Sequence, residues 1–502
     1  MIKNISDYLS KWAISKPHNI YCEDVNGIKF TFLQLENKVN QCCYHLESLG
    51  ISKGQVMSIA IPNCISFIVL YLAAIRSGII INPCQSTLSN FEMEKNLKFV
   101  NSNLLFTNIY FEASNYEINT KIVPFKNDSE FFELLDKYDT PLFDSNTLEN
   151  DIICYYNSSG TTGNPKYIKY SHKNMLFMID SVVATFGFNS DSRHFGFLPF
   201  SFTSITNYSF LPTILAGGYI LLSDNFITIR KRFWSLVNSY KINYIQIVPT
   251  IAFTLISSKF DKEEIDSNKT LDYVGCGSAP LSIETQRVFQ NKFNIPIANL
   301  YGLSETGPSH FDDPRVDDWK PGSIGIPIFD YKCKIVDKEF KEQPDGVIGE
   351  FALKGRNLFI GYLDNDKAEN DAFHSGFFLT GDLGCKDSSG KYYFNDRKKD
   401  LIIRGGVNIT PSEIEDVIFS MQGIISAAVV GTPSHLLGED IVAFIECDNN
   451  FEGVEKLQKA LKSNLQFIKL PSKIKIIKKM PKGPTGKILK KVLRDTLVKD
   501  KN

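Results

Sequence analysis

The sequence predicts a mixed α/β protein: a large N-terminal domain of helix-covered sheets carrying a small β-barrel-like unit, then a small α+β C-terminal domain. Three observations carry this. The chain has 502 residues, too many for one ordinary core. Its opening third alternates helix-spaced apolar positions with short apolar runs, the pattern of a largely parallel sheet covered by helices. Its texture then changes twice, at about Ile335–Gly361 and again after Asp400.

The elements follow in order. Thr31 and Gln34 form a capping-box pattern; Leu35, Val39, Cys42, Leu46 and Leu49 recur at helical spacing, and Gly50 supplies the stop. Gln55–Ile61 reads as a buried strand, the run from Ser66 to Gly78 as a helix and Ile79–Pro83 as a further strand. The segment Ile335–Gly361 has short strands and glycine-bearing turns, as expected of a small barrel or antiparallel unit. After Asp400 we expect a strand, a helix over Pro411–Met421, strands over Ile425–Gly431 and Asp440–Cys447, a helix over Val454–Leu465 and a basic tail. These divide the chain into domains of residues 1–399 and 400–502.

Composition narrows the function. With 55 basic and 56 acidic residues the net charge is −1, which gives no global drive toward nucleic acid or membrane surfaces. The longest apolar stretch, Ser66–Ile81, is interrupted by Arg76 and Ser77 and is too short to predict a membrane span. The first twelve residues carry charge throughout, so no signal peptide is read. Ten cysteines at irregular spacing, without a CxxC pair, point to free thiols and a reducing, cytoplasmic setting.

The chemistry concentrates in glycine-rich loops. In Tyr155–Lys166 (YYNSSGTTGNPK), two glycines, four hydroxyls and a lysine follow an apolar run, a composition that can turn amides and hydroxyls toward phosphate oxygens. The spacing is not that of a Walker A loop. Gly275–Pro280 begins like a dinucleotide fingerprint, but Pro280 stands where the third glycine belongs. Gly302–Thr306 lacks the final glycine of a nucleophile elbow, and the seven histidines show no metal-ligand spacing. Further glycine-rich loops are Tyr301–Pro308 (YGLSETGP), Gly376–Gly384 (GFFLTGDLG), Asn395–Glu415 and Pro481–Ile488 (PKGPTGKI).

Taken together and in this order, these loops resemble the adenylate-forming superfamily of acyl-CoA synthetases, carrier-protein adenylation domains and firefly-type luciferases. The resemblance implies that ATP activates a small-molecule carboxylate as an acyl-adenylate, and that a thiol then displaces AMP. It implies that Ser158, Ser159, Thr161, Thr162 and Lys166 form the phosphate loop. Glu305 would be a Mg²⁺ ligand and Thr306 would touch the α-phosphate. Gly277, Ser278, Ala279 and Pro280 would border adenine, Tyr301 would stack on it, and Asp382 with Arg397 would hold the ribose. Lys487, in Pro484-Thr-Gly-Lys, would bridge the carboxylate and the α-phosphate from a mobile C-terminal domain. That domain would swing about Asp400 and bring the Gly405–Gly406 loop to the thiol's path.

The acyl pocket is expected near Phe202, Thr203, Cys276 and Gly302. Phe202 stands where many acyl-CoA synthetases carry a histidine, and Thr203 where amino-acid adenylation domains usually carry an aspartate. A threonine hydroxyl cannot balance a buried ammonium, which argues against an ordinary α-amino acid. Arg404 stands where lysine is common and Asn395-Asp396 replaces a frequent glycine, changes that remove no needed charge. The sequence ends fifteen residues after Lys487, so the acceptor thiol is expected from free coenzyme A or from the phosphopantetheine of a separate carrier protein. A carboxylate–CoA ligase is the leading reading. Its rivals are a free-standing enzyme that loads a carrier, and a catalytically silent nucleotide-binding relative; nothing favours a luciferase-like activity.

Overall fold

The computed structural model describes residues 4–109, 119–158, 166–268, 270–434, 436–483 and 487–499. Two seven-stranded sheets organise the N-terminal part. In one, the order is Ile297–Asn299, Val274–Cys276, Tyr244–Ile247, Arg193–Gly196, Tyr219–Leu222, Ile20–Asp24 and Lys29–Thr31, parallel except for the last pair. In the other it is Gly361–Tyr362, Lys166–Ser171, Ile152–Ser158, Ile80–Pro83, Val56–Ala60, Leu104–Thr107 and Lys121–Pro124, with its two antiparallel pairs at the first edge.

The helix Ile65–Ser77 ties the two sheets together. Its residues from Ile65 to Arg76 are all buried, so a helix that is apolar nearly all round lies inside the protein. Its Phe67 ring lies 5.4 Å from Phe200, which follows a strand of the first sheet, and its Tyr71 hydroxyl is 2.7 Å from that of Tyr156 in the second. The one charge on that helix is closed off: Arg76 donates to Glu36 at 2.8 and 2.9 Å and to Asn40 at 2.6 Å. Glu36 sits on the helix Phe32–Ser48, whose capping box at Thr31 and Gln34 forms as its sequence predicts. Among the described residues no helix is long and apolar enough to cross a membrane.

The change of texture near Ile335 marks an antiparallel sheet of Lys332–Val336, Gly349–Lys354, Phe377–Lys386, Phe373–His374 and Tyr392–Arg397. Gly361, read from sequence as the end of this unit, instead forms with Tyr362 the edge of the second large sheet beside Lys166–Ser171. That pairing brings Tyr362 beside Lys166.

After residue 400 a five-stranded sheet has cores of its own, built around Ile402, Ile414 and Leu457 in one cluster and Val430, Phe444 and Leu497 in the other. Its long hairpin, Ile424–Ser434 with Gly438–Cys447, runs past the boundaries the sequence suggests. Pro433 lies within this hairpin and is tolerated because Ile424–Ser434 is an edge strand in that sheet. The basic tail is more regular than expected: Lys473–Ile476 pairs in parallel with Val442–Ile445, and the helix Lys490–Lys499 buries Leu493 and Leu497.

Candidate active site

A cavity of about 510 Å³ opens where the two large sheets, the antiparallel unit and the C-terminal part meet. Residues at or just past the carboxyl ends of sheet strands line it, among them Pro83, Gln246, Gly277 and Leu300, the position where open α/β sheets bind ligands.

One wall is cationic. Lys166, Arg397, Lys399 and Lys487 all border the cavity, with Glu305 among them. Lys166 begins its strand opposite Ser158, and Ser159, Thr161 and Thr162 fall between the two in sequence. Those three residues, like Pro484–Gly486 before Lys487, lie outside the described residues. The Lys166 ammonium rests over the Tyr362 ring, 4.7 Å from its centre, and the Tyr362 hydroxyl donates to Glu305 Oε1 at 3.1 Å. Burial, helped by the Glu305 charge, pushes the Tyr362 phenol well above its ordinary range, so it stays a donor. Sequence reasoning misses Tyr362; its only signal is an aromatic next to Gly361, which many core tyrosines share.

Glu305 is held by the turn around it. Its carbonyl accepts from Phe359 N at 3.0 Å, and Thr306 shapes the loop by donating to Gly307 O at 2.8 Å and accepting from Leu303 N at 2.9 Å. Thr306 is fully buried and does not border the cavity, so its hydroxyl serves the turn in this arrangement. Gly302 has no room for a side chain, since a Cβ there would meet Gly307 O at 2.1 Å.

Asp382 and Arg397 face each other across neighbouring strands, in register. The Asp382 carboxylate is buried; its Oδ2 accepts from the Tyr301 hydroxyl at 2.9 Å, and Arg397 Nε lies 3.2 Å from Oδ1. That second contact is an ion pair without hydrogen-bond alignment, which leaves Oδ1 with an acceptor site unused among the described residues. Burial raises the Asp382 carboxyl above its ordinary value, opposed by Arg397 and Tyr301. The Tyr301 ring packs 5.2 Å from Phe351 and 6.1 Å from Phe394. Gly381 and Arg397 border the cavity, whereas Asp382 and Tyr301 stand behind its wall.

Lys487 reaches the cavity from the C-terminal part, and its backbone carbonyl accepts from Gly483 N at 2.7 Å. Burial and the nearby Arg397 cation push its ammonium down to about 8, while Asp382 and Glu305 pull the other way. It pairs with no carboxylate among the described residues. Asp400 is held by Arg494 of the last helix at 2.9 Å. Gly405 and Gly406 form the two-residue turn between Ile402–Arg404 and Val407–Ile409, away from the cavity; both have positive φ, as such turns require.

Another stretch of the lining is neutral. Phe202 and Thr203 border it at the start of a short helix that passes into a π-helical turn, Thr206–Phe210. Gly277 and Ser278 join them, Ser278 with φ +69°, a left-handed conformation rare outside glycine. Ala279, Pro280 and the fully buried Cys276 do not reach the cavity. Among the described residues no cluster of three metal-ligating side chains occurs.

A deep cleft with phosphate-compatible cations on one wall, into which the C-terminal part extends a lysine, defines a nucleotide-using enzyme. The chain belongs to the AMP-binding enzyme family, whose profile matches residues 9–363, and the profile of the AMP-binding enzyme C-terminal domain matches residues 413–487. It is an adenylate-forming protein. Curated relatives include a long-chain-fatty-acid–CoA ligase of Mycobacterium tuberculosis, 28% identical over 98% of each chain, and a sulfoacetate–CoA ligase of Cupriavidus necator, 26% identical over 92% of each. The fold matches that of ATP-bound MatB from Rhodopseudomonas palustris at a TM-score of 0.90 and 24% identity, covering 98% of this chain and 99% of that one. It also matches the o-succinylbenzoate CoA synthetase of Bacillus subtilis in complex with its acyl-adenylate, at a TM-score of 0.86, with 24% identity and coverage of 99% and 98%.

Proposed function

We propose that this enzyme is an AMP-forming carboxylate–CoA ligase. A carboxylate oxygen attacks the α-phosphorus of ATP, the bond to pyrophosphate breaks, and an acyl-adenylate forms. The coenzyme A thiol then attacks the acyl carbon and AMP leaves with the electron pair. The observation that carries the reading is the set of cations Lys166, Arg397, Lys399 and Lys487 gathered on one cavity that neutral groups also line. Phosphoryl transfer needs positioning and charge compensation more than covalent help, and that set supplies both.

In this reading the hairpin of Ser158, Ser159, Thr161, Thr162 and Lys166 cradles the phosphates. Gly277 and Ser278 border the base, and Arg397, on the cavity wall and backed by the buried Asp382 that Tyr301 holds, faces the ribose. Lys487 neutralises the carboxylate and α-phosphate oxygens as they approach. Thr306 acts by fixing the turn that aims Glu305. One carboxylate with nucleotide phosphates and water is a donor set suited to Mg²⁺, and Glu305 fits, with one oxygen held by Tyr362 and a place on the cavity wall. A bound Mg²⁺ would add Lewis-acid stabilisation of phosphate charge.

We further propose a division into residues 1–399 and 400–502, with a swing about Asp400 that exchanges Lys487 for the Gly405–Gly406 turn. All ten cysteines are free, which suits the reducing cytoplasm. The test is ATP–pyrophosphate exchange over fatty, aryl, hydroxy and amino acids without any thiol, followed by coenzyme A or a loaded carrier protein as acceptor. Acid-dependent exchange and a coenzyme A thioester are expected. No exchange with any acid, despite ATP binding, would sink the ligase reading; transfer to a carrier alone would replace the acceptor.

A further inference from the structure

The neutral wall of the cavity holds an unusual amount of unused hydrogen-bonding capacity. Gln246, Asn207 and Tyr208 all border the cavity and are 1%, 0% and 5% exposed. Among the described residues the Gln246 amide has no partner at either its nitrogen or its oxygen, so the assignment of its two ends is immaterial. Asn207 Oδ1 and the Tyr208 hydroxyl are also unpartnered. Asn207 uses its nitrogen only on the Met178 sulfur at 3.5 Å, a weak acceptor. Buried polar groups are nearly always satisfied, and a set left open on a cavity wall is a set presented to a ligand.

The backbone reinforces this. Asn207 and Tyr208 sit in the π-helical turn Thr206–Phe210, a local widening of the helix that is frequently found at functional sites. Gln246 comes from a different element, the strand Tyr244–Ile247, near its carboxyl end. Two independent segments thus bring amide and hydroxyl groups to one wall.

That wall is also free of charge. The segments Thr203–Ala216 and Tyr244–Ile247, which supply these groups, contain no Asp, Glu, Lys or Arg. The His194 ring lies 4.7 Å from that of Tyr244, and burial pushes it down to about 3, so it is neutral. These two segments themselves offer no counter-ion to an ammonium or a second carboxylate.

We infer that the acid activated at this site is short and carries a neutral hydrogen-bonding group, a hydroxyl or an amide, which Gln246, Asn207 and Tyr208 receive. The mixture of donors and acceptors suits a hydroxyl best, because it can donate to one amide and accept from the other. The group is a specificity determinant, not a reacting one. A cavity of about 510 Å³ shared with a nucleotide leaves little room for a long alkyl chain. The inference rests on the ligase reading above and narrows its substrate.

The experiment compares acids that differ by one hydroxyl, in ATP–pyrophosphate exchange with the full-length enzyme: butyrate against its β-hydroxy derivative, and benzoate against its para-hydroxy derivative. Decanoate, succinate and alanine complete the panel. A preference of at least about tenfold in kcat/KM for a hydroxylated member over its parent is expected, since a site built around polar groups rejects the analogue that leaves them unpaired. Gln246→Leu should erase that preference while exchange with the parent acid persists, and Asn207→Leu serves the same purpose should the first variant not fold. Preference for decanoate, for either parent acid or for a charged control overturns the inference and leaves the ligase intact. Absence of exchange with every acid, with ATP binding retained, overturns both.

Discussion

Lys487 is held where its charge is hard to keep, half-buried and near Arg397, and that gives the residue scale its sharpest predictions. Lys487→Ala should lower adenylate formation by about a hundredfold or more, the order lost with one preorganised charge-stabilising group, and spare thioester formation from a supplied acyl-adenylate. Equal loss of both half-reactions, measured separately, would remove its assignment. Because burial and Arg397 lower its ammonium to about 8, the free enzyme carries this charge below that pH and loses it above. The kcat/KM for ATP should therefore fall as pH rises through about 8; a profile flat to the range of an ordinary lysine would contradict the geometry. Bound phosphates add negative charge and favour the ammonium, so the fall in kcat should come at higher pH than the fall in kcat/KM. Tyr362→Phe removes the donor to Glu305 and keeps the ring under Lys166. Its expected effect is a several-fold rise in the Mg²⁺ concentration for half-maximal activity, with little change in the acid's KM. The candidate residues Lys166, Glu305, Asp382 and Lys487 are legible in the sequence because they sit in ordered motifs. Tyr362, Gln246 and Asn207 are not, since their importance comes from strands and turns that only the fold brings together.

At the scale of elements, the helix Ile65–Ser77 shows how a short apolar run becomes an interior. Its Arg76 is 2% exposed and Glu36 6% exposed, and the pair is enclosed by Asn40, Ser6 and Ser10. Glu36→Ala would strand a buried guanidinium, and a loss of about 3 kcal/mol or more in urea unfolding is expected. A loss below about 1 kcal/mol would mean that Arg76 escapes to water. The helix is readable from its apolar run and from Gly78 at its end. The pairing of Gly361–Tyr362 with a distant strand is not, because register across about 190 residues is set by the assembled sheet rather than by local pattern. The tail misleads for a different reason: alternating Lys-Ile-Lys-Ile reads as charge, while its period of two lays the isoleucines on one face of Lys473–Ile476.

For the whole molecule, the cores before and after residue 400 share no residue, and the cavity is one place where both parts meet. The hinge proposal follows from that partition. Calorimetry of the unliganded enzyme should resolve two unfolding transitions, and ATP should raise the larger one. A single transition would mean that contacts such as Ser412 with Asp396, at 3.0 Å, and Ser412 with Asn395, at 2.7 Å, couple the parts into one unit. The two-part layout is legible because motifs and composition both change near Asp400. The polarity of the stretch around Gln246, Asn207 and Tyr208 is not, since it depends on which side chains remain without partners after packing.

The first large sheet places Ile20–Asp24 beside Tyr219–Leu222, so Cys22 meets Ile220. During synthesis at about 5–20 residues per second, the early strand waits roughly 10–40 s for that partner to emerge. The apolar helix Ile65–Ser77 can pack early against Phe32–Ser48, but its partners Tyr156 and Phe200 emerge only later. Nascent chains of this protein therefore pass through an interval in which their most apolar helix is only partly covered, and yields from cells should depend more on chaperone supply and growth temperature than on the stability of the finished fold.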